Sequence, residues 1–273
     1  MQTRYRSVFI SDVHLGTRAC QANHLLDFLN TIECETLYLV GDIIDLYEMQ
    51  KKAYFTEEHR QIISLIMQKA REGTKVIYIP GNHDAFFRQL AGQSIAGIDI
   101  KLNDIYTSVD GRQFYVSHGD EFDQVVKISP LLLAIGDRAH GLMLNLNNWV
   151  NGIRKLIGRP YWSFANYIKN HINKAKQFIS RFEQAALKSA ESHNVDGFIC
   201  GHIHYASFRL QHGKLYCNDG DWVEDCSALV ESEQGVFSLL HWSENPHTIA
   251  VEPELETQWG TKSKTTSGPI KYT

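Results

Sequence analysis

Five short polar clusters carry side chains able to hold divalent metal ions. They are Asp12-Val13-His14, Gly41-Asp42-Ile43-Ile44-Asp45, Gly81-Asn82-His83-Asp84, His118-Gly119-Asp120 and Gly201-His202-Ile203-His204. Carboxylates, imidazoles and a carboxamide, with no thiolate among them, suit Mn²⁺, Fe²⁺ or Zn²⁺ better than a soft-metal cluster. Paired catalytic ions lie roughly 3.5–4 Å apart and need a ligand between them. A carboxylate is the natural bridge, and Asp42, in its Gly-Asp turn, is the candidate. Alternate residues of an extended chain share a face, so Asp12 with His14, and His202 with His204, are expected to point together. Any one pair is weak, because Asp-x-His or Asn-His is commonly plain turn chemistry. Five clusters in order, three of them opening with Gly, define a single centre.

Each cluster follows an apolar, strand-like run, at residues 7–11, 37–40, 75–79, 113–117 and 197–200. Helical spacing separates the first three, over 23–31 and over about 56–72. The second helix carries the stripe Ile62, Ile63, Ile66, Met67 and Ala70, with Gly73 as its stop. Short buried strands joined by helices indicate crossover units, whose ligands gather beyond the carboxyl ends of the strands. Asp110-Gly111 marks a hairpin. The pattern turns helical from 128 to 192, then strand signals return up to 241. The expected organisation is an α/β domain over 1–251, interrupted by a helical cap insertion at about 125–192, with a polar, flexible tail at 252–273.

With 273 residues, 43% hydrophobic and 21% charged, the composition is that of a globular chain with a sizeable core. A formal charge of −4 argues against a protein that coats nucleic acid, and no nucleic-acid partner is expected. Five cysteines without a Cys-x-x-Cys pair fit neither a disulfide framework nor a zinc ribbon; they read as small buried hydrophobes in a reducing compartment. The first residues lack a signal peptide's apolar region, and no stretch of about 18 apolar residues spans a membrane, so a cytoplasmic location is expected.

Charge is distributed unevenly. Residues 127–188 hold ten Lys and Arg against two acidic residues, interleaved with Leu131, Leu132, Leu133, Trp149 and Ile153. Such a basic amphipathic segment can meet the anionic inner face of a membrane or an acylated phosphate compound; the alternative is a plain lid with its cations in solvent. Candidate substrate contacts are Asn82, His83, Asp123, Arg154, Lys155 and Lys169.

In combination the five clusters resemble the calcineurin-like metallophosphoesterase superfamily. Its pattern is Asp-x-His, Gly-Asp-x-x-Asp, Gly-Asn-His-Asp or Glu, His, and Gly-His-x-His, and the likeness spans about 7–242. The resemblance implies a four-layer fold, two mixed β-sheets flanked by helices. It also implies two divalent ions, Mn²⁺ foremost, one held by Asp12, His14, Asp42 and His204 and the other by Asp42, Asn82, His118 and His202. Every ligand position is filled, which argues against an inactive scaffold. The implied reaction is hydrolysis of a phosphoester or pyrophosphate bond, with water activated by the metals. His83 would serve the leaving group, Asp84 beside it would orient the imidazole, and Asp45 would orient a ligand.

Within the superfamily the chain looks most like UDP-2,3-diacylglucosamine pyrophosphatases of lipid A synthesis, from its length, its helical insert and the run Asn218-Asp219-Gly220-Asp221-Trp222-Val223. Those enzymes generally carry Arg where this chain has His83. An alkoxide gains more from a proton donor than a departing phosphate does, so a general phosphodiesterase, phosphomonoesterase or nuclease is the alternative. Asp45-Leu46-Tyr47 stands where protein serine/threonine phosphatases continue Asp-Arg-Gly.

Overall fold

The structure is a computed structural model that describes residues 3–52, 54–123, 154 and 173–253. Its strands are β1 (Thr3–Ile10), β2 (Ile32–Val40), β3 (Lys75–Ile79), β4 (Ser94–Ile95), β5 (Ile98–Ile100), β6 (Asp104–Thr107), β7 (Gln113–Val116), β8 (Gly197–Cys200), β9 (Ser207–Gln211), β10 (Lys214–Asn218), β11 (Ser227–Glu231), β12 (Phe237–His241) and β13 (His247–Val251). The helices are α1 (Ala22–Thr31), α2 (Leu46–Lys51), α3 (Glu57–Arg71) and α4 (Asn173–Ser192). An eight-stranded sheet has the order β13-β12-β11-β1-β2-β3-β5-β4, and a five-stranded sheet the order β6-β7-β8-β10-β9. Both are mixed: β1, β2 and β3 run parallel, as do β7, β8 and β10, while β11, β12 and β9 join antiparallel.

Period-two alternation assigns each strand face to a layer. Phe9, Tyr38, Ile77 and Ile79 of the larger sheet meet Phe114, Val116, Ile199 and Leu215 of the smaller one. Phe9 stacks on Tyr38 with ring centroids 4.8 Å apart. The neighbours Val8, Ile10, Leu37, Leu39 and Val76 face the other way, against Leu25, Phe28 and Leu29 of α1 and Ile62 and Ile66 of α3. On the far side, Phe182, Ala186 and Ala190 share one face of α4 at helical spacing and cover Phe198, Cys200 and Tyr216. The four layers are therefore helices, sheet, sheet and helix. Each large apolar side chain buried in them contributes about 1.5–3 kcal/mol.

Several bounds differ from the sequence expectation. The second strand begins at Ile32 because Ile32 and Cys34 face inward while Glu33 and Glu35 face solvent, an alternation that an apolar run does not reveal. Helix α4, expected within the cap insertion, is the outer layer of the smaller sheet, tied to it by Arg209 and Glu183 at 2.5 Å. The rest of that segment, including Lys155 and Lys169, lies outside the described residues. Glu252, expected to begin the flexible tail, is pinned by Arg112 at 2.6 Å and by the Phe237 amide at 3.0 Å. Among the described residues no helix is long and apolar enough to cross a membrane.

Candidate metal centre

The clusters sit just past the carboxyl ends of β1, β2 and β3 in the larger sheet and of β7 and β8 in the smaller. Adjacent parallel strands end together, so these five ends converge. The common direction of Asp12 and His14 does not come from the strand pleat, since β1 has already ended at Ile10. It comes from a left-handed backbone at both residues, with φ of 50° and 52°. Asp42 (53°), His202 (70°) and His204 (50°) share that conformation. For residues other than Gly it costs on the order of 1–3 kcal/mol each and persists only where the surroundings enforce it. Here they do: the Asp12 amide donates to the Gly41 carbonyl at 3.0 Å, His14 to Asp42 at 2.9 Å, and Asp45 to Leu15 at 2.8 Å. Glycine serves close approach as well. A Cβ on Gly41 would strike the His118 ring, and one on Gly81 would strike Asp42 Oδ1.

Three groups of potential ligand atoms result, each with its atoms within 4.8 Å of one another: Asp12, His14 and His204; Asp42, His118 and His202; His14, Asp45 and His83. In the first, Asp12 Oδ1 lies 3.1 Å from His204 Nε2 and 4.0 Å from His14 Nε2. In the second, Asp42 Oδ2 lies 3.3 Å from His118 Nε2. Asn82 is exposed, next in the chain to His83, and no side-chain hydrogen bond joins it to the other candidates among the described residues.

The imidazoles are held from behind. His14 Nδ1 meets Asp45 Oδ2 at 2.8 Å, His118 Nδ1 meets the Val40 carbonyl at 2.8 Å, and His202 Nε2 meets Asp123 Oδ1 at 2.8 Å. A carbonyl only accepts, so His118 Nδ1 carries a proton there, and in the neutral ring Nε2 keeps the lone pair. Ser11 Oγ bridges Asp12 Oδ2 at 2.5 Å and Asp219 Oδ1 at 2.6 Å. Asp12 Oδ1, His14 Nε2 and His118 Nε2 are buried without a hydrogen bond. Such orphans are costly unless something binds them. Their types and mutual facing fit divalent cations.

Charge follows the same geometry. Burial opposes ionisation of Asp12 and Asp42, but His204 beside Asp12 and His118 beside Asp42 hold both carboxyls well below the usual range. Burial likewise disfavours charge on His118 and His83. It is outweighed by Asp42 at His118, and by Asp45, Asp42 and Asp12 at His83, so both imidazoles are raised.

Asp45 takes the place expected of Asp84 beside His83 in addition to its own beside a ligand candidate. Asp45, not Asp84, contacts His83: Asp45 Oδ1 lies 3.0 Å from His83 Nδ1 while Oδ2 holds His14. Asp84 is fully buried and accepts from the amides of Gly81 at 2.6 Å, Ile43 at 2.8 Å and Asp42 at 3.3 Å, and from the Tyr78 hydroxyl. It knots the second cluster to the third because backbone N–H groups in two tight turns need an acceptor. The acids after His118 also separate. Asp120 pairs with Arg88 at 2.8 Å, Glu121 accepts from Ser117 and from the Gly119 amide, and Asp123 reaches His202. Arg154 is half-buried. The sequence signals the Ser11 and Asp219 contacts only by a hydroxyl immediately before the first ligand and by the run at 218–223.

The calcineurin-like phosphoesterase family profile matches residues 5–206, and the chain belongs to that family. It is a metal-dependent phosphoester hydrolase that binds divalent cations. Over 246 residues, 81% of this chain and 91% of the relative, it is 25% identical to the UDP-2,3-diacylglucosamine hydrolase of Porphyromonas gingivalis. A DNA polymerase II small subunit of Methanothermobacter thermautotrophicus is 28% identical over 148 residues, 43% of this chain and 31% of that one. Among solved structures, Yfce, a phosphoesterase from E. coli, matches 90% of this chain and 97% of its own at 13% identity, with a TM-score of 0.47.

Proposed function

We propose that the chain is a dinuclear enzyme, with Mn²⁺ as its working metal, that hydrolyses a phosphoester or pyrophosphate bond in an amphiphilic phosphate compound of the acylated sugar nucleotide type. The observation that carries this reading is the pair of facing triads, Asp12–His14–His204 and Asp42–His118–His202, whose inward atoms include buried orphans. Asp42 would join the two, and Asn82 would complete the second. Divalent cations held there would lower the pKa of water and offset the negative charge of a phosphoryl group.

The remaining steps belong to the protein. Asp45 grips Nδ1 of His83 at 3.0 Å, leaving Nε2 to meet the substrate. A proton on Nε2 would pass to the leaving oxygen as its bond to phosphorus breaks. Asp45 holds His14 at the same time, so one carboxylate sets both the metal ligand and the proton donor. Tyr47, 56% exposed, flanks this corner, its ring edge-on to His83 at 5.8 Å. An exposed aromatic ring beside a charged centre suits a leaving group with an apolar part. The relative named for UDP-2,3-diacylglucosamine and the basic stretch at 127–188 support the same substrate class, and they support contact with the inner face of a membrane.

The Asp45–His83 pair favours a second reading, a phosphodiesterase or phosphomonoesterase releasing an alkoxide, because that leaving group needs the proton. Mn²⁺-loaded protein assayed against acylated sugar nucleotides, plain sugar nucleotides, phosphomonoesters and cyclic diesters, with products identified by mass, decides between them. The first reading expects the acylated sugar nucleotide to be cleaved fastest. Turnover confined to simple esters would replace it with the second.

A further inference from the structure

His204 stands between two buried carboxylates. Its Nε2 lies 3.1 Å from Asp12 Oδ1, and its Nδ1 lies 3.8 Å from Asp221 Oδ2. Asp221 is fully buried in the loop between β10 and β11. Its Oδ1 accepts three backbone amides, from Val223 at 2.8 Å, Glu224 at 2.5 Å and Asp225 at 3.1 Å. Its own amide and carbonyl are tied to Ser227, at 3.3 Å and 2.9 Å. That many bonds on one oxygen fix the plane of the carboxylate, and Oδ2 accepts no hydrogen bond among the described residues. The same loop supports Asp12, since the Trp222 amide donates to the Asp12 carbonyl at 3.1 Å and Asp219 reaches the Asp12 side chain through Ser11.

We propose that Asp221 is the positioning residue of His204, holding the ring proton on Nδ1 so that the Nε2 lone pair faces the cation shared with Asp12 and His14. The proposal rests on the dinuclear reading above. A neutral imidazole has one proton, and a carboxylate at either nitrogen attracts it. Asp12 alone would draw it to Nε2, the tautomer that leaves no lone pair on the nitrogen facing Asp12. Asp221 supplies the opposite pull at Nδ1. His14, His118 and His202 each have a partner at one ring nitrogen at 2.8 Å, in Asp45, Val40 and Asp123, whereas Asp221 and His204 at 3.8 Å are at ion-pair rather than hydrogen-bond distance. Because Oδ1 of Asp221 is committed to backbone, Oδ2 is aimed at His204 by the loop itself.

Asp221→Asn tests this with little change of shape. The amide oxygen keeps the three backbone bonds, which turns the NH₂ group toward Nδ1 and drives the His204 proton to Nε2. Metal-free wild type and variant are titrated with Mn²⁺ by calorimetry, and the His204 ring nitrogens are followed by ¹⁵N NMR with Zn²⁺. Wild type is expected to take two equivalents. The variant is expected to bind one of them about 10–100-fold more weakly and the other as before. Its metal-free melting temperature should be unchanged, and its ¹⁵N shifts should report the Nε2–H tautomer. Wild-type affinity for both equivalents in the variant would overturn the assignment. So would equal weakening of both with a lowered metal-free melting temperature, the mark of a merely structural residue. A wild type that takes up no cation would sink the dinuclear reading itself, and this assignment with it, before the variant is needed.

Discussion

Between the two sheets, the strands bury aromatic and aliphatic side chains such as Phe9, Ile77, Phe114 and Ile199; a few residues further along, the same strands deliver Asp12, Asp42 and His118, buried to 0, 2 and 1% exposure. The interior needs no special backbone. Past the strand ends, five ligand candidates take left-handed conformations and several polar atoms lack hydrogen bonds. Stability therefore resides in the sandwich, and the strand ends consume some of it to hold charge in a fixed arrangement. The two regions should then respond to mutation in opposite ways.

The largest effect is expected from Asp42→Ala. Loss of the proposed bridge should lower turnover on the order of 10³-fold or more and reduce the number of bound cations, read by assay and by metal analysis. Phe9→Ala should do the reverse. It should cost about 3–5 kcal/mol of folding stability in denaturant titrations while leaving cation affinity intact in the folded protein. If Phe9→Ala weakened metal binding as strongly as Asp42→Ala, the proposed division of labour would be wrong.

Much of both regions was legible in advance, for definite reasons. Helices α1 and α3 declare themselves by apolar spacing, and Thr56 caps α3 by accepting from the His59 amide. The five clusters follow strands because parallel strands bring their ends together. What the residues did not disclose depends on backbone geometry. Left-handed φ values at Asp12 or His204 have no local signature, and the pleat offers a plausible but different route to the same direction. Asp45 and Asp84 are chemically alike, each beside or near a ligand. Only the chain path shows that Asp84 faces amides while Asp45 faces two imidazoles. Helix α2 is not evident from apolar spacing, although Asp45 caps it and Glu48 sits three residues on, a start signal hidden inside a metal motif.

Asp45→Asn is expected to have an effect of intermediate size. Removing the charge that orients His14 and His83 should lower metal affinity or activity about 10–100-fold, checked by titration and by turnover. Cys20 and Cys34 provide a test from the apolar side. Burial pushes both thiols up to about 12, so thiolate is scarce at neutral pH. Native protein should react with a maleimide far more slowly than urea-unfolded protein, read by mass. The smallest effect belongs to Arg88→Ala, which breaks a half-exposed pair with Asp120 at the rim. It should change stability by about 1 kcal/mol or less and leave cation affinity alone.

The proposed dinuclear centre requires two cations at two particular places. Crystals grown with Mn²⁺ and measured at its absorption edge test it directly. Two anomalous peaks are expected, one among Asp12, His14 and His204 and one among Asp42, His118 and His202. A single peak, or peaks away from these residues, would contradict the dinuclear proposal.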